Sequence, residues 1–595
     1  MDKKEVEKKG GNSINKLIDF IFSKDNRKYV LLLFIAAFIL RFLISLRIRF
    51  YADELQFITQ SIGFIDSGKL QTLNQDGVWY FLTNIFMNIF GVNVLGARFL
   101  SILLGAFSVI LIYLIAKEIF DEKIALIASI ILAFSSYHTL NSIGAMDLPM
   151  AFFVFLSMYF LILFLKTDKQ KFFLLAWVSL GFAIMIKQIA VLFIPGFILF
   201  LIYHNKKFYA KFRFKQVVYA ALLISLMIAP IFTFNYLLYK DKKLVDLQFS
   251  RFFNIAKEQY ASIANTLNPF SLKTLFISFA EGPPGFFVAL TFFYQFESIV
   301  ILLLSILGGF ILAKSQNKFK WLLALSFLIP FLFLAGTSLL PNHFIFSSLF
   351  FALFSANSVN WLSNRFDVKN RKKIIIFIIL LVIISSFAQI YQETHGFFGK
   401  EEMGKLIDFK DKSMEKGSLV IADSRIYRGK IAFMLWDRHY LETNFFPDLF
   451  NQLDKFPGEY APIKFYCIEA ITDDSGWGTV KNQPEFNQTT EQIISLCKEQ
   501  AQLIKTINDA KGEPHFAVYQ GYVNFKSSAL DFVDSTHEFF FYPLEYTPAD
   551  RVFDNYETYT TFDSLLDNFA HLILYAEIIL FFLLLLFLLY MFYKQ

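Results

Sequence analysis

The sequence predicts a polytopic α-helical membrane protein of about twelve transmembrane helices with a C-terminal extracytoplasmic α/β domain. Three observations carry this. Hydrophobic residues make up 56% of the 595 positions and charged residues only 18%, against about 25% charged in soluble domains. The apolar residues fall in blocks close to the ~20 residues a helix needs to cross a hydrocarbon core about 30 Å thick. One long segment near the C-terminus, 393–570, instead mixes short β-like runs with helical spacing.

Residues 1–28 begin MDKKEVEKKGGNSINK and form a polar lead. No small-residue cleavage site follows the first apolar run, so that run is expected as a retained span rather than a signal peptide. Apolar segments lie near 29–46, 97–116, 123–140, 148–165, 171–187, 189–203, 216–239, 296–313, 320–340, 343–362, 373–392 and 571–593. Loop charges test these crossings. With the N-terminus cytoplasmic, the inner connections hold Lys117 and Lys123; Lys166, Lys169 and Lys171; Lys206, Lys207, Lys211, Arg213 and Lys215; Lys314, Lys318 and Lys320; and Arg365, Lys369, Arg371, Lys372 and Lys373. The short outer turns near 141–147, 188 and 341 carry almost no Lys or Arg, as the positive-inside rule requires. Residues 29–392 thus read as one transmembrane body and 571–595 as a final transmembrane helix.

Three outer segments are long. Residues 51–96 mix polar and aromatic residues, as in SGKLQTLNQDGVWYFLTNIF, and are expected as interfacial helices lying on the membrane. Residues 240–295 contain the breaker EGPPG at 281–285 and read as a loop with re-entrant or interfacial helices. Only 393–570 is large enough for a soluble domain. GSLVIADS, PIKFYCIEAI and HFAVYQGYV read as strands, and TEQIISLCKEQAQLIKTI as a helix with Ile493, Cys497, Ala501 and Ile504 on one face. Two cysteines exclude a disulfide scaffold or a cysteine-rich metal site. Cys467 and Cys497 either pair outside or Cys497 is a plain core residue. Asn487-Gln488-Thr489 matches a glycosylation acceptor triplet, a pattern that chance also produces. There is no internal repeat, P-loop or Gly-rich dinucleotide fingerprint.

Several cations break the topology rule. Arg41 falls in the outer half of the first span, Arg47 and Arg49 sit at its outer end, Arg98 heads the second span, Lys187 ends the fifth and His343 starts the tenth. An Arg at the centre of a membrane helix costs about 2.5–3.5 kcal/mol on insertion scales. An anion at the outer face would compensate, and a lipid phosphate or pyrophosphate lies at that depth. The competing reading is that each long side chain snorkels to headgroups. Carboxylates stand close by. Asp53 and Glu54 are adjacent, so on a helix they point about 100° apart, and one can face a substrate while the other orients a cation. Asp147, in GAMDLPMAFF, opens the fourth span, where Asp and Pro149 also suit a helix start. His138, in SSYHTL, lies at the same face and reads most simply as a hydrogen-bonded core residue.

Four runs, YADELQF, FGVNVLGARFLSILLGAFSVILIYLIAKEIF, LNSIGAMDLPMAFFVFLSMYFL and LLAWVSLGFAIMIKQIAVLFIP, resemble the membrane glycosyltransferases of the GT-C superfamily, nearest to the protein O-mannosyltransferase and aminoarabinose transferase group. The resemblance is good over 50–200, and the general plan of many spans plus one outer domain covers the rest. It implies an enzyme of the cell envelope that takes a sugar from a polyprenyl-phosphate carrier, as in dolichyl phosphate mannose, and passes it with inversion to a protein, glycan or lipid acceptor. It implies Asp53 as the catalytic acid of the first loop and Glu54 as its partner. It places Arg98, Asp147 and Lys187 in the donor cavity and His343 where relatives carry a basic residue. With Arg41, the cations Arg98, Lys187 and His343 are then the expected ligands of the donor phosphate. The stretch NQDGVWYF lacks the prolines common in relatives, and the WWDxG signature of oligosaccharyltransferases is absent, with only the fragments LWDRHY and SGWGT.

The chemistry fits the charges. Asp53 is the natural base for the acceptor hydroxyl, a contribution typically worth about 10²–10⁴-fold. Fixed cations would stabilise charge growing on the leaving phosphate. A Mg²⁺ or Mn²⁺ ion bridging Asp53, Asp147 and phosphate suits hard carboxylate oxygens, though nothing in the sequence demands it. The expected partners are membrane lipid, the lipid-linked donor and an acceptor, not nucleic acid. The alternatives are a transporter or flippase of a lipid-linked or anionic substrate, and a membrane-anchored binding protein acting through 393–570. A transporter would be expected to show repeated halves and midplane charges.

Overall fold

In the computed structural model the described residues are 26–48, 77–203, 214–243, 285–337, 340–394, 402–426, 428–472, 484–509, 512–530 and 556–594, with single positions that include Glu54, Leu55, Ile58 and Ser61. Helices follow one another as α1 (Arg27–Ser45), α2 (Gly77–Phe90), α3 (Val94–Ile119), α4 (Glu122–Phe134), α5 (Ser136–Leu140), α6 (Asp147–Thr167), α7 (Gln170–Ile186), α8 (Phe193–Tyr203), α9 (Phe214–Lys242), α10 (Gly285–Phe296), α11 (Ile299–Lys314), α12 (Lys320–Ala335), α13 (Phe346–Ser363) and α14 (Val368–Thr394). Every apolar segment marked in the sequence up to residue 392 contains a helix. The helices α1, α3, α6, α9, α14 and the C-terminal α18 (Thr561–Lys594) are long and apolar enough to cross a membrane. The chain is a multi-pass membrane protein.

Burial sorts the helices into layers. Nearly all of α6 is buried, and α3 is buried from Leu100 to Ala116 apart from Leu103. These two form the axis of the bundle. At the rim, α1 exposes Leu31, Leu32, Ile35 and Ile39, and α14 exposes Phe377, Leu380 and Ile384. A helix apolar on all sides belongs in a core or a membrane, and these rim residues have only lipid to meet. Local chemistry sets the starts. Asn93 caps α3 by accepting from the Gly96 amide at 3.0 Å, and Asp121 caps α4 by accepting from Ile124 at 2.8 Å.

The bundle has two polar ends. At one end, Arg27 donates to the Tyr593 carbonyl at 2.8 Å, Lys166 pairs with Glu118 at 2.6 Å and Asn317 bonds the Ile119 carbonyl at 3.0 Å. At the other, Lys240 at the end of α9 pairs with Asp563 at the start of α18. The residues described below as a site lie at this second end.

Two expectations for the membrane part change. Segment 123–140 is not one helix: it breaks at Ser135, whose hydroxyl accepts from the His138 amide at 3.2 Å and starts α5. The serine pair offers the backbone a side-chain partner in place of the helical ladder. Residues 77–90, expected on the membrane surface, form a helix that packs into the bundle with Val78, Trp79, Tyr80 and Leu82 fully buried. The amphipathic signal was real, but its apolar face meets protein rather than lipid. The EGPPG turn up to Pro284 lies outside the described residues.

The segment after α14 carries α15 (Glu402–Ser413), β1 (Leu419–Ala422), α16 (Arg428–Leu435), β2 (His439–Glu442), β3 (Ala461–Ala470), α17 (Pro484–Gln500), β4 (Gln502–Asn508) and β5 (Pro514–Phe525). The sheet order is β2-β1-β3-β5-β4, with β2, β1 and β3 parallel and β5 antiparallel to β3 and β4. Alternate residues of β1 and β3 serve two cores. Leu419, Ile421, Phe465 and Cys467 pack with Ile493, Ile494 and Cys497 of α17. Val420, Ala422, Tyr466 and Ile468 face the other way, in the cluster that holds Met403 and Leu406 of α15. Parallel strands buried on both faces are the α/β arrangement expected. Cys467 of β3 and Cys497 of α17 are joined as a disulfide, with Cα atoms 6.3 Å apart. The expected helix over 490–507 ends at Gln500. Its tail becomes β4, because β5 offers an open edge that pairs Gln502 with Gln520 and Thr506 with Ala517.

Candidate active site

At the start of α6, Asp147 is buried and holds two partners. Lys187 Nζ donates to its Oδ1 at 2.7 Å, and Asn342 Nδ2 donates to its Oδ2 at 2.7 Å. The three come from separate parts of the chain. The helix α7 stops at Ile186, and Lys187 turns extended with φ −157° and ψ 124°, which carries its side chain inward. Asn342 sits in a 3-10 turn, Pro341–Phe344, that precedes α13. His343 in the same turn is close enough to feel the charges of both Lys187 and Asp147. Of the residues expected in the donor cavity, Asp147 and Lys187 are in direct contact, with His343 in the adjoining turn. Lys187 is 2% exposed, and Asp147 is its only hydrogen-bond partner among the described residues. An ammonium has further donors, so this one keeps N–H groups for a ligand oxygen.

Glu54 and Arg98, expected as the partner of a base and as a phosphate ligand, are bound to each other. Arg98 Nε reaches Glu54 Oε1 at 2.6 Å and Nη2 reaches Oε2 at 2.7 Å, both side chains shut off from solvent. The Gly144 amide donates to the same Oε1 at 2.6 Å. Arg98 Nη1 meanwhile donates to the carbonyls of Ser45 and Ile48, at the end of α1. The pair therefore fastens the first loop to α1, α3 and the turn before Asp147. A Cβ at Gly144 would come within 3.0 Å of Glu54 Oε1, so the close approach needs glycine here. Asp53 and Arg49 lie outside the described residues. Arg47 is exposed, as a headgroup contact would be.

Arg41 is also reassigned. Its guanidinium donates to the carbonyls of Ala37 and Ala133 at 3.1 Å and of Leu132 at 3.0 Å, and to His138 Nδ1. It thus satisfies the orphan carbonyls where α4 breaks. The cation needed a counter-charge, as the sequence implied, but helix-end carbonyls provide it instead of phosphate. Because guanidinium only donates, His138 Nδ1 must accept, and the ring proton sits on Nε2.

One acidic residue was missed. Glu297, between α10 and α11, is 1% exposed and accepts from Ser135 Oγ at 2.6 Å, Ser136 Oγ at 3.0 Å and its neighbour's amide, Ser298 N, at 2.9 Å. A lone acid in an apolar run, YQFESIVILLL, was the available signal.

An apolar groove of about 770 Å³ runs along the flank of the bundle, walled by Phe286, Leu290 and Phe293 of α10 and by faces of α11, α12 and α13, and extends to Ala313, Lys320 and Trp321 toward the opposite end. Its rim residues Leu290, Ile306, Phe310, Trp321 and Leu328 are exposed. Phe286 and Phe293 both lie 5.9 Å from the Phe331 ring, so α10 crosses α12 there. Phe293 is also 6.1 Å from Phe344 and 6.0 Å from Tyr137, and the Tyr137 hydroxyl bonds the Pro341 carbonyl. The groove wall is thus joined to the turn that carries Asn342.

A divalent cation finds little here. Both Asp147 oxygens already accept hydrogen bonds, and no group of three His, Cys, Asp or Glu gathers among the described residues. Asp53, the other carboxylate expected to bridge a cation, lies outside the described residues.

Residues 78–234 match the family described as dolichyl-phosphate-mannose-protein mannosyltransferase. An uncharacterized protein of Aquifex aeolicus (strain VF5) is 29% identical over 202 residues, a stretch that spans 33% of this chain and 40% of that relative. The chain also superposes on ArnT from Cupriavidus metallidurans bound to undecaprenyl phosphate, with a TM-score of 0.55 and 10% identity, over 83% of this chain and 98% of that one. The apo form of the same protein gives 0.52 over 82% and 98%, again at 10% identity. At such identity the likeness is one of fold. The chain has the GT-C fold and resembles the protein O-mannosyltransferase and aminoarabinose transferase group.

Proposed function

We propose that this protein is a glycosyltransferase that moves a sugar from a polyprenyl-phosphate donor to an acceptor hydroxyl on the extracytoplasmic face, with inversion. The observation that carries the reading is Lys187: a buried ammonium, anchored by Asp147 and with no other hydrogen-bond partner among the described residues, while a groove suited to an apolar chain reaches Phe293, whose ring meets Phe344 of the turn that carries Asn342. The phosphate oxygen sits at Lys187 with His343 nearby, and the lipid tail lies along Phe293 and Phe331. Asp53 takes the acceptor proton. The acceptor oxygen forms its bond to the anomeric carbon as the carbon–oxygen bond to phosphate breaks, and the electron pair leaves on polyprenyl phosphate. Lys187 stabilises that growing charge in a site where water is scarce. Glu54 and Arg98 hold the first loop against the turn before Asp147. The loop lysines and the disulfide, which persists in oxidising compartments, both support an outward-facing site.

The test is turnover of undecaprenyl-phosphate sugar by the purified full chain in nanodiscs. Lys187→Ala and Asp53→Asn are each expected to lower turnover about 10²–10³-fold. Undiminished turnover in either removes that residue from its role. Movement of labelled lipid across the bilayer without transfer would replace the reading with a flippase.

A further inference from the structure

We propose that Glu297 is a positioning residue for the Lys187–Asp147 site, acting through the break between α4 and α5. The inference rests on the reading of that site as the phosphate site. Glu297 is buried and has no cationic partner among the described residues; its oxygens accept from the hydroxyls of Ser135 and Ser136 and from the backbone amides of Ser136 and Ser298. A buried carboxylate is retained at a cost, and what it holds here is the point where the third apolar segment leaves its helical path. Ser135 and Ser136 come 162 and 161 residues before Glu297 in sequence, so the contact ties two otherwise separate parts of the bundle.

The next residue transmits the position. Tyr137 packs its ring 6.0 Å from Phe293 and 6.2 Å from Phe296, the last turn before Glu297. Its hydroxyl donates to the Pro341 carbonyl. The following residue, Asn342, holds Asp147 Oδ2, and Asp147 Oδ1 holds Lys187. A series of four hydrogen bonds, joined by two pairs of chain neighbours, therefore runs from Glu297 through Ser136, Tyr137, Pro341, Asn342 and Asp147 to the ammonium. Phe293 also lines the apolar groove, so the same corner orders the tail path and the phosphate end together.

Glutamine in place of Glu297 keeps the shape but trades an acceptor oxygen for an N–H₂ group, which faces hydroxyl donors. The Tyr137–Pro341 link is then set from a shifted corner. The effect falls first on donor binding, where Lys187 meets the phosphate, and reaches the chemical step only through the position of that same ammonium.

The experiment measures undecaprenyl phosphate binding to the full chain in nanodiscs, with donor KM and kcat beside it. Glu297→Gln, the double variant S135A with S136A, and Tyr137→Phe are each expected to weaken binding and raise KM about tenfold, with kcat at saturating donor falling less than KM rises. Glu297→Gln combined with the serine double variant should lose no more than either alone. Wild-type affinity in Glu297→Gln and Tyr137→Phe overturns the inference. So does a fall in kcat with KM unchanged, or additive losses in the combined variant. If Glu297→Gln does not fold, Tyr137→Phe, which keeps the ring, decides alone. Failure of the wild-type chain to bind undecaprenyl phosphate overturns the phosphate reading itself, and is seen before any variant is compared.

Discussion

Glu54 and Arg98 form a bidentate ion pair closed to solvent, with contacts of 2.6 and 2.7 Å across 44 residues of sequence. The pair does more than neutralise charge. Arg98 also closes the open carbonyls at the end of α1, and Glu54 also takes the Gly144 amide, so four chain segments meet at one guanidinium–carboxylate contact.

Removing one partner of such a pair leaves an uncompensated buried charge, a loss of about 3–5 kcal/mol. Arg98→Ala and Glu54→Ala are each expected to lower the thermal midpoint of the protein in detergent strongly. The double variant should recover part of the loss, because neither charge is then orphaned. Equal or greater destabilisation of the double variant would show that the pair does not act as a unit.

The helical segments and their order were readable because length and hydropathy alone specify them. What could not be read was which cation met which acceptor. Arg41, Arg98 and Lys187 look alike in sequence: each is a positive charge near the expected outer face. Arg41 ends on carbonyls exposed by the break at Ser135, Arg98 on Glu54, and only Lys187 keeps spare donors. These outcomes depend on contacts made across 40 or more residues, which local spacing does not encode. The strand β2, four residues long, has too short a pattern to stand out. Ile504 fits a helical face as well as a strand, and the open edge of β5 decided between them.

Adjacent glycines of α11 give opposite expectations. A Cβ at Gly308 would collide with the Phe354 carbonyl of α13, whereas at Gly309 nothing lies within 4 Å. Gly309 faces the groove. Gly308→Ala should therefore destabilise the bundle by forcing the two helices apart, a loss of about 1–3 kcal/mol. Gly309→Leu should leave the melting temperature unchanged or slightly raised, since glycine is a poor helix former. It should also weaken competition by undecaprenyl phosphate for the site. Full lipid affinity in Gly309→Leu would mean that the chain lies elsewhere.

The bond between Cys467 and Cys497 closes a loop with a sequence separation of 30. Chain-entropy arguments assign such a loop about 3–4 kcal/mol. Reduction of the wild-type protein is expected to lower the urea midpoint of the sheet-containing region, while the variant C467A with C497A should start lower and not respond to reductant. An unchanged wild-type midpoint on reduction would remove the disulfide from the stabilising contacts.

Acid should loosen the contact between α15 and the turn after α16. There Lys410 Nζ bonds Asp437 Oδ1 at 2.6 Å, and Arg438 pairs with the other oxygen. Burial alone would push the Asp437 carboxyl up, but the Lys410 bond and charge, with Arg438, hold it below its ordinary 3.8. A carboxyl lowered on folding contributes stability that is fully present above its unfolded value. That contribution is lost as pH falls through the folded one. The window is therefore below about pH 4. Comparing thermal midpoints of wild type and Asp437→Asn from pH 6 to pH 3 isolates this one group from the other carboxylates. The difference should be largest at pH 6 and shrink toward zero at the acid end, with Lys410→Met already reducing it at pH 6. Parallel curves across the whole range would show that Asp437 is not a source of the acid sensitivity.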